Sequence, residues 1–349
     1  MKKILVIRFS SLGDLVLTTP IFREIKKVFP NSRISVLTSS DLGSIFENNP
    51  HIDRLIKFKR KDTLGKLNKL IKNLRDEKFD LIYDAHRSLR SIWIVWNLIG
   101  FGFFKFPRVW IIKKRSIQKN LLIFAKLNFL KNYSSQRTHL LRPLKENSNI
   151  ELKYHTELFP GKNTEIFVKK FLKKNGLFPK KFIAIGPSAS YPIKCWPLSY
   201  FYKLISKLIE KDWPVVIVGG KNEFETSKIE KKFYGKLQNV AGKFSILESA
   251  ELLNQARLTI TNDTSICHLS EAMDTPAFVF FGPTVKEFGY GPYIKESRLI
   301  ETFEKLKCRP CSKDGRGKCL NFDHLKCLTT IYPERVVSLI PDLEEIEKK

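Results

Sequence analysis

Apolar residues along the chain follow two alternating rhythms. Short runs that are apolar throughout, such as residues 4–7, 215–218 and 277–281, are far too short to span a bilayer and read as strands buried on both faces of a parallel sheet. Between them, apolar positions recur every three or four residues, as in Leu64, Leu67, Leu70, Ile71 and Leu74, which predicts a helix over 63–75. In order, the first half predicts strand 4–7, helix 13–29, strand 33–37, short helix 42–47, strand 54–58, helix 63–75 and strand 79–83. The alternation is less regular from residue 87 to 143. The polar, aperiodic stretch 145–162 marks a boundary, so the domains are expected at 1–160 and 161–349. A helix over 164–175 then stops at Gly176, a C-cap residue. After it come strand 182–185, helix 198–211, strand 215–218, helices 223–233 and 246–256, and strands 258–260 and 277–281. Repeated βαβ units imply parallel sheets with right-handed crossovers, hence two doubly wound α/β domains facing each other across a cleft.

Composition adds a partner class. The 349 residues carry 62 Lys+Arg against 35 Asp+Glu, a net charge of +27, which favours anionic partners such as nucleotides, phosphorylated sugars, nucleic acid or an anionic membrane surface. Many lysines, such as Lys169, Lys170, Lys173 and Lys174, flank apolar helix positions and read more readily as a solvated face than as a binding stripe. The most membrane-like segment, 92–112, is broken by Gly100, Gly102, Lys105, Pro107 and Arg108, and is expected to be a buried helix, a turn and a strand. The N-terminal apolar run is too short for a signal peptide. A cytoplasmic protein is expected, with peripheral contact with the inner membrane left open.

Candidate chemistry sits where predicted strands end, the edge at which open α/β sheets hold ligands. The loop Arg8-Phe9-Ser10-Ser11-Leu12-Gly13-Asp14 has a single glycine and is not a dinucleotide fingerprint. Asp14 opens the next helix, either as an acid favoured by the dipole or as a general base. The loop from Gly186 to Pro197 offers Ser188, Ser190 and Lys194 to an oxygen-rich anion, with Trp196 as core or loop wall. Gly219-Gly220-Lys221-Asn222-Glu223 follows the next strand, with Glu223 either capping a helix or taking ribose hydroxyls. Finally, Asp263, Thr264, Ser265 and His268 lie in a turn and helix start suited to phosphate.

These stretches, RFSSLGDLVLTTP, SASYPIKCWP, VVIVGG, NVAG and NDTSICHLSEAMDTPAFVFFGPT, resemble glycosyltransferase family 9, the ADP-heptose:lipopolysaccharide heptosyltransferases, over nearly the whole length. The resemblance implies a GT-B fold of two Rossmann-like domains and an inverting transfer that needs no catalytic cofactor. It places the acceptor on the N-terminal domain and the nucleotide sugar on the C-terminal domain. Carried over by motif, Asp14 is the base, Lys194 the diphosphate clamp, and Asp263, Thr264, Ser265 and His268 the ribose, phosphate and sugar ligands, with Ser188, Ser190 and Glu223 beside them. Departures occur at Ser188 and Ser265, where glycine is usual, and at Cys195, where arginine is usual. The implied partners are ADP-heptose and a lipid A–Kdo type acceptor, whose anionic groups call for cations on the first domain. Arg8, His86, Arg87, Arg90 and Arg137 are candidates, together with Ser11.

Of six cysteines, Cys195 and Cys267 read as packing residues. Cys308, Cys311, Cys319 and Cys327 form a CxxC followed by two more thiols within the tail 308–327, a candidate four-cysteine site for zinc before an iron–sulfur cluster. Three alternatives remain: transfer of another nucleotide-activated sugar, a basic nucleic-acid-binding protein with a four-cysteine metal module, or a nucleotide-sugar epimerase or similar sugar-nucleotide enzyme with two Rossmann-like domains. The second is disfavoured because the basic residues are dispersed and no nucleic-acid motif is present, so no nucleic acid is expected.

Overall fold

The computed structural model describes residues 1–59, 62–99, 107–131, 135–221 and 223–341. Gly100, Gly102, Lys105 and Asn222 lie outside the described residues. The chain divides into two compact units, one of residues 1–115 and 136–159, the other of 116–135 and 160–349. The segment 116–135, which the sequence assigns to the first half, thus groups with the second unit.

The first unit is built on five parallel strands, β1 (Lys3–Ile7), β2 (Arg33–Ser39), β3 (Arg54–Phe58), β4 (Leu81–Asp84) and β5 (Arg108–Ile111), in the order β3-β2-β1-β4-β5. Its helices are α1 (Leu12–Val28), α2 (Leu64–Asp76), α3 (Leu89–Ile99) and, after the short α4 (Ser116–Asn120) of the other unit, α5 (Gln136–Glu146). The expected helix at 42–47 is a single 3-10 turn, Gly43–Phe46. Pro20 lies inside α1 and cannot donate to the carbonyl of Val16. That carbonyl instead accepts from the Thr19 hydroxyl at 2.8 Å, which keeps a buried acceptor satisfied.

The second unit carries α6 (Lys162–Lys174), α7 (Leu198–Glu210), α8 (Phe224–Lys232), α9 (Ile246–Gln255), α10 (Ser265–Glu271), α11 (Lys326–Thr329) and α12 (Pro333–Val337). Its six parallel strands are β6 (Ile183–Gly186), β7 (Val215–Ile217), β8 (Gln238–Asn239), β9 (Leu258–Asn262), β10 (Ala277–Phe281) and β11 (Arg298–Glu301), in the order β11-β10-β9-β6-β7-β8. β8 and β11 carry no strong apolar run and escape the sequence pattern.

Both orders contain one reversal of winding. In the first sheet it falls between β1 and β4, in the second between β6 and β9. At such a switch point the flanking loops diverge to opposite faces and leave a crevice beyond the carboxyl ends of the strands.

The core of the second unit centres on Trp196, 1% exposed and stacked on Phe280 with centroids 4.4 Å apart. Its indole N–H donates to the carbonyl of Ile331 at 2.9 Å, so one side chain joins the β6 loop, β10 and the C-terminal helices. Trp196→Ala, which leaves a large cavity, is expected to lower stability by about 3–5 kcal/mol, measured by denaturant unfolding.

Candidate functional site

In the first unit the loops after β1 and β4 meet at the switch point. Arg8 is buried, and its guanidinium donates to the carbonyls of Ser10, at 2.9 Å, and Ala85 while pairing with Asp14 Oδ2 at 2.8 Å. The Ser11 hydroxyl and backbone N–H also reach Asp14 Oδ2, at 3.0 and 3.3 Å. Arg8 therefore acts as a fixed internal cation that orients Asp14, and is not a surface group awaiting an acceptor phosphate. Asp14 keeps 17% side-chain exposure. It occupies the N3 position of a capping box, which satisfies the helix-capping account and leaves its base role to function.

The β4 loop is shaped by Asp84, wholly buried, which the sequence pattern leaves just beyond the strand 79–83 without a role. Its carboxylate accepts from the backbone N–H groups of His86 and Arg87 at 2.9 and 2.8 Å and from the Ser91 hydroxyl at 2.9 Å. This wraps the loop into a tight turn with Arg87 at φ +50° and its side chain exposed. His86 packs edge-on against Phe9, centroids 5.2 Å apart, tying the two loops together. Arg90 is half-buried over the ring of Phe58 at 5.4 Å. Arg137 enters from α5, which packs on α1 and β5. Ser11, Asp14 and Arg87 thus share one sheet edge.

In the second unit the β6 and β9 loops converge in the same way. Lys194 Nζ lies 2.8 Å from Asp263 Oδ2, and Asp263 also accepts from the Thr284 hydroxyl at 2.7 Å. The turn after β9 is capped by Thr264, whose hydroxyl accepts from the N–H of Ile266 at 3.3 Å, and α10 begins at Ser265. Asn262, absent from the sequence-based set, is buried and spans both loops. Its amide donates to the carbonyl of Pro187 at 2.6 Å and accepts from the N–H of Trp196 at 2.9 Å. At Gly186 a Cβ would lie 2.6 Å from Ile266 Cδ1 and 2.8 Å from the Thr261 hydroxyl, so a larger residue would have to displace these side chains.

Ser188 is 5% exposed, and its hydroxyl has no hydrogen-bond partner among the described residues, which leaves an unsatisfied polar group in the β6 loop. Ser190 is exposed. Glu223 accepts through Oε1 from the N–H of Gly220 at 2.8 Å, curling back over the glycine turn. His268 is buried, with the ring of Tyr290 6.3 Å away.

With this geometry in place, known proteins supply the frame. The sequence pattern of glycosyltransferase family 9 (heptosyltransferase) matches residues 67–318. The chain belongs to this family. It is 26% identical over 329 residues to lipooligosaccharide heptosyltransferase 2 of Haemophilus influenzae, covering 89% of this chain and 92% of the relative. Among solved structures it is similar to a family 9 glycosyltransferase of Veillonella parvula, with TM-score 0.79, 21% identity and coverage of 97% and 95%. It is similar also to an E. coli ADP-heptose lps heptosyltransferase II, with TM-score 0.75, 18% identity and both chains covered completely. The chain is therefore a transferase of GT-B fold, with two parallel-sheet α/β domains.

In this family 9 glycosyltransferase the cysteine-rich tail is part of the second crevice. Gly315, at φ +93°, lies directly on the stem of Lys194; a Cβ there would come within 2.4 Å of Lys194 Cδ. Arg316 Nε donates to the Tyr191 hydroxyl at 2.8 Å, and Arg309 donates to the carbonyls of Gly282 and Thr284 at 2.8 and 3.1 Å. The tail thus braces both the Lys194 loop and the Gly282-Pro283-Thr284 loop.

Cys308, Cys311, Cys319 and Cys327 lie close enough to influence one another's charge. Burial above all, with the neighbouring thiols adding to it, pushes Cys327 up to about 12 and raises Cys311. The N–H groups of Leu325 and Asn321 point at the sulfurs of Cys319 and Cys308 at 3.3 and 3.4 Å, donors suited to thiolate. Among the described residues, however, the group whose ligand atoms all lie within 4.8 Å of one another is Cys267, His268 and Glu271, and the four tail sulfurs are not gathered that closely. Glu271 Oε1 already accepts from Tyr293 N, Ile294 N and the Ser297 hydroxyl at 2.6, 2.9 and 2.9 Å, so the carboxylate serves as an anchor for that loop. The helical acid amid buried positions in HLSEAM was the available signal for it.

Two outcomes follow for the tail. Gly315→Val should displace the Lys194 stem; if Lys194 is the diphosphate clamp that the family resemblance implies, KM for the nucleotide donor should rise about tenfold with a smaller change in kcat, measured by steady-state kinetics. Any metal at the four cysteines must displace thiol protons, and burial holds those of Cys311 and Cys327 more tightly, so affinity should increase with pH. Chelator competition at about pH 6.5 and 8 measures this, with tighter retention expected at the higher pH.

Proposed function

We propose that the chain transfers heptose from ADP-heptose to the lipopolysaccharide inner core, with inversion at the anomeric carbon. The reading is carried by the convergence of Lys194, Asp263, Thr264 and Ser265 at the second switch point. An ammonium sits there beside a capped helix start and the buried hydroxyl of Ser188. That chemistry suits a diphosphate flanked by ribose. On this account Lys194 exchanges its Asp263 partner for the diphosphate and stabilises charge developing on the departing ADP. Asp14 takes the proton of the acceptor hydroxyl as its oxygen bonds to the anomeric carbon and the sugar–phosphate bond breaks. Arg8 holds Asp14 in place. Ser190, Glu223 and His268 line the ribose and sugar side, while Ser11, Arg87, Arg90 and Arg137 receive the acceptor.

The names of the relatives support heptose, lipopolysaccharide and ADP as the partners. A membrane-anchored acceptor implies work at the cytoplasmic face of the inner membrane with peripheral contact. Among the described residues, no helix is long and apolar enough to cross a membrane. A metal at Cys308, Cys311, Cys319 and Cys327 would draw the sulfurs together and stiffen the tail under Lys194, without entering the chemical step.

Mass spectrometry of truncated lipopolysaccharide incubated with ADP-heptose should show addition of one heptose. Transfer only from a different nucleotide sugar would replace the donor assignment. Asp14→Ala should lower kcat by about 10²–10⁴ while leaving ADP binding, measured by calorimetry, unchanged. Near-normal turnover would remove Asp14 as the base.

A further inference from the structure

Helix α3 is apolar on two opposite faces. Its inner face, Ser91, Ile94, Val95 and Leu98, is buried against the first sheet. Its outer face is formed by Leu89, Ile92, Trp93 and Trp96, spaced i, i+3, i+4, i+7 so that they line one stripe. These four are 89%, 46%, 44% and 56% exposed. The sequence reading of this segment as buried is therefore right for one face only. An ordinary surface helix carries charge or amide groups along such a stripe; here it is wholly apolar, and the Trp93 and Trp96 rings lie against each other at 5.7 Å.

The surroundings specify what the stripe fits. Helix α2 packs beside α3, and Arg75 donates to the carbonyl of Asn97 at 2.7 Å. Along α2, Lys69 and Lys72 are exposed, and Lys113 and Lys114 are exposed just after β5. An apolar stripe rich in tryptophan with basic residues on neighbouring elements matches the boundary of an anionic bilayer, where indole rings sit at headgroup depth and ammonium groups meet phosphate. The position of α3 adds a third argument. It starts directly after the β4 loop, whose Ala85 carbonyl is held by Arg8 and whose His86 packs on Phe9, so its exposed first residue, Leu89, belongs to the same sheet edge as Asp14.

We propose that the outer face of α3 docks the protein on an anionic phospholipid surface and so presents a lipid-anchored acceptor to the Asp14 loop. The lipid-anchored acceptor rests on the function proposed above; the docking face does not. Four apolar side chains at the interface, supplemented by four lysines, give reversible binding rather than permanent anchoring.

The test is co-sedimentation of the full chain with vesicles of phosphatidylcholine alone and of phosphatidylcholine with phosphatidylglycerol. Wild type should bind the anionic vesicles, with a blue shift of tryptophan emission. Trp93→Ser/Trp96→Ser should weaken binding by more than about tenfold without changing the melting temperature or turnover of a water-soluble acceptor sugar. Because both side chains are exposed, loss of folding is not expected, and Ile92→Ser offers a milder variant that should weaken binding in the same direction. Equal binding by wild type and the double variant would overturn the proposal. So would a wild type that ignores anionic vesicles but self-associates through this face in analytical ultracentrifugation. Vesicle binding through α3 by a protein that transfers no heptose would leave the docking face standing and remove the functional reading instead.

Discussion

The crevice of the second unit depends on the buried amide of Asn262. Two loops that diverge from β6 and β9 must be held in register across the switch point, and Asn262 does this by donating to one and accepting from the other. An apolar side chain of similar size would leave a buried carbonyl and a buried N–H unpaired, at about 1–3 kcal/mol each. Lys194 follows Trp196 into place, because both belong to the segment that Asn262 fastens. The Lys194–Asp263 pair and the Thr264 cap sit on that frame.

The first unit solves a similar problem with charge. Arg8 is buried and bridges two loops through backbone carbonyls, while its Nη2 meets Asp14. Asp84, equally buried, turns the neighbouring loop by accepting backbone N–H groups. A buried cation and a buried anion at the ends of adjacent strands thus shape the same crevice, each compensated by polar groups of the protein itself. Asp14 is the charged member of this set that retains exposure.

Much of the architecture was legible because parallel strands buried on both faces leave wholly apolar runs, as in 4–7 and 277–281. β8 and β11 were not, since edge strands of two and four residues need no such run. Asp14, Lys194 and the Asp263 turn could be found because they sit in polar loops after recognisable strands. Asn262, Asp84 and Glu271 could not, because what matters in them is a bond to a distant backbone group, and spacing does not encode that. The outer face of α3 was left open for a related reason: apolar periodicity reports that a face avoids water, not which apolar medium covers it.

The contact between Gly315 and Lys194 also bears on when the protein becomes competent. Residues far apart in the chain meet there, and Trp196 and Trp213 likewise donate to carbonyls of Ile331 and Pro341. During synthesis the first unit can collapse early, as N-terminal domains generally do. The loop that carries Lys194 emerges long before the segment that supports it. Until the chain has been made to about residue 341, that loop lacks its floor and the core tryptophans lack their acceptors. Nascent chains should therefore hold a formed first unit without a finished second one, so that the Lys194 crevice is not ready for a ligand before translation is nearly complete.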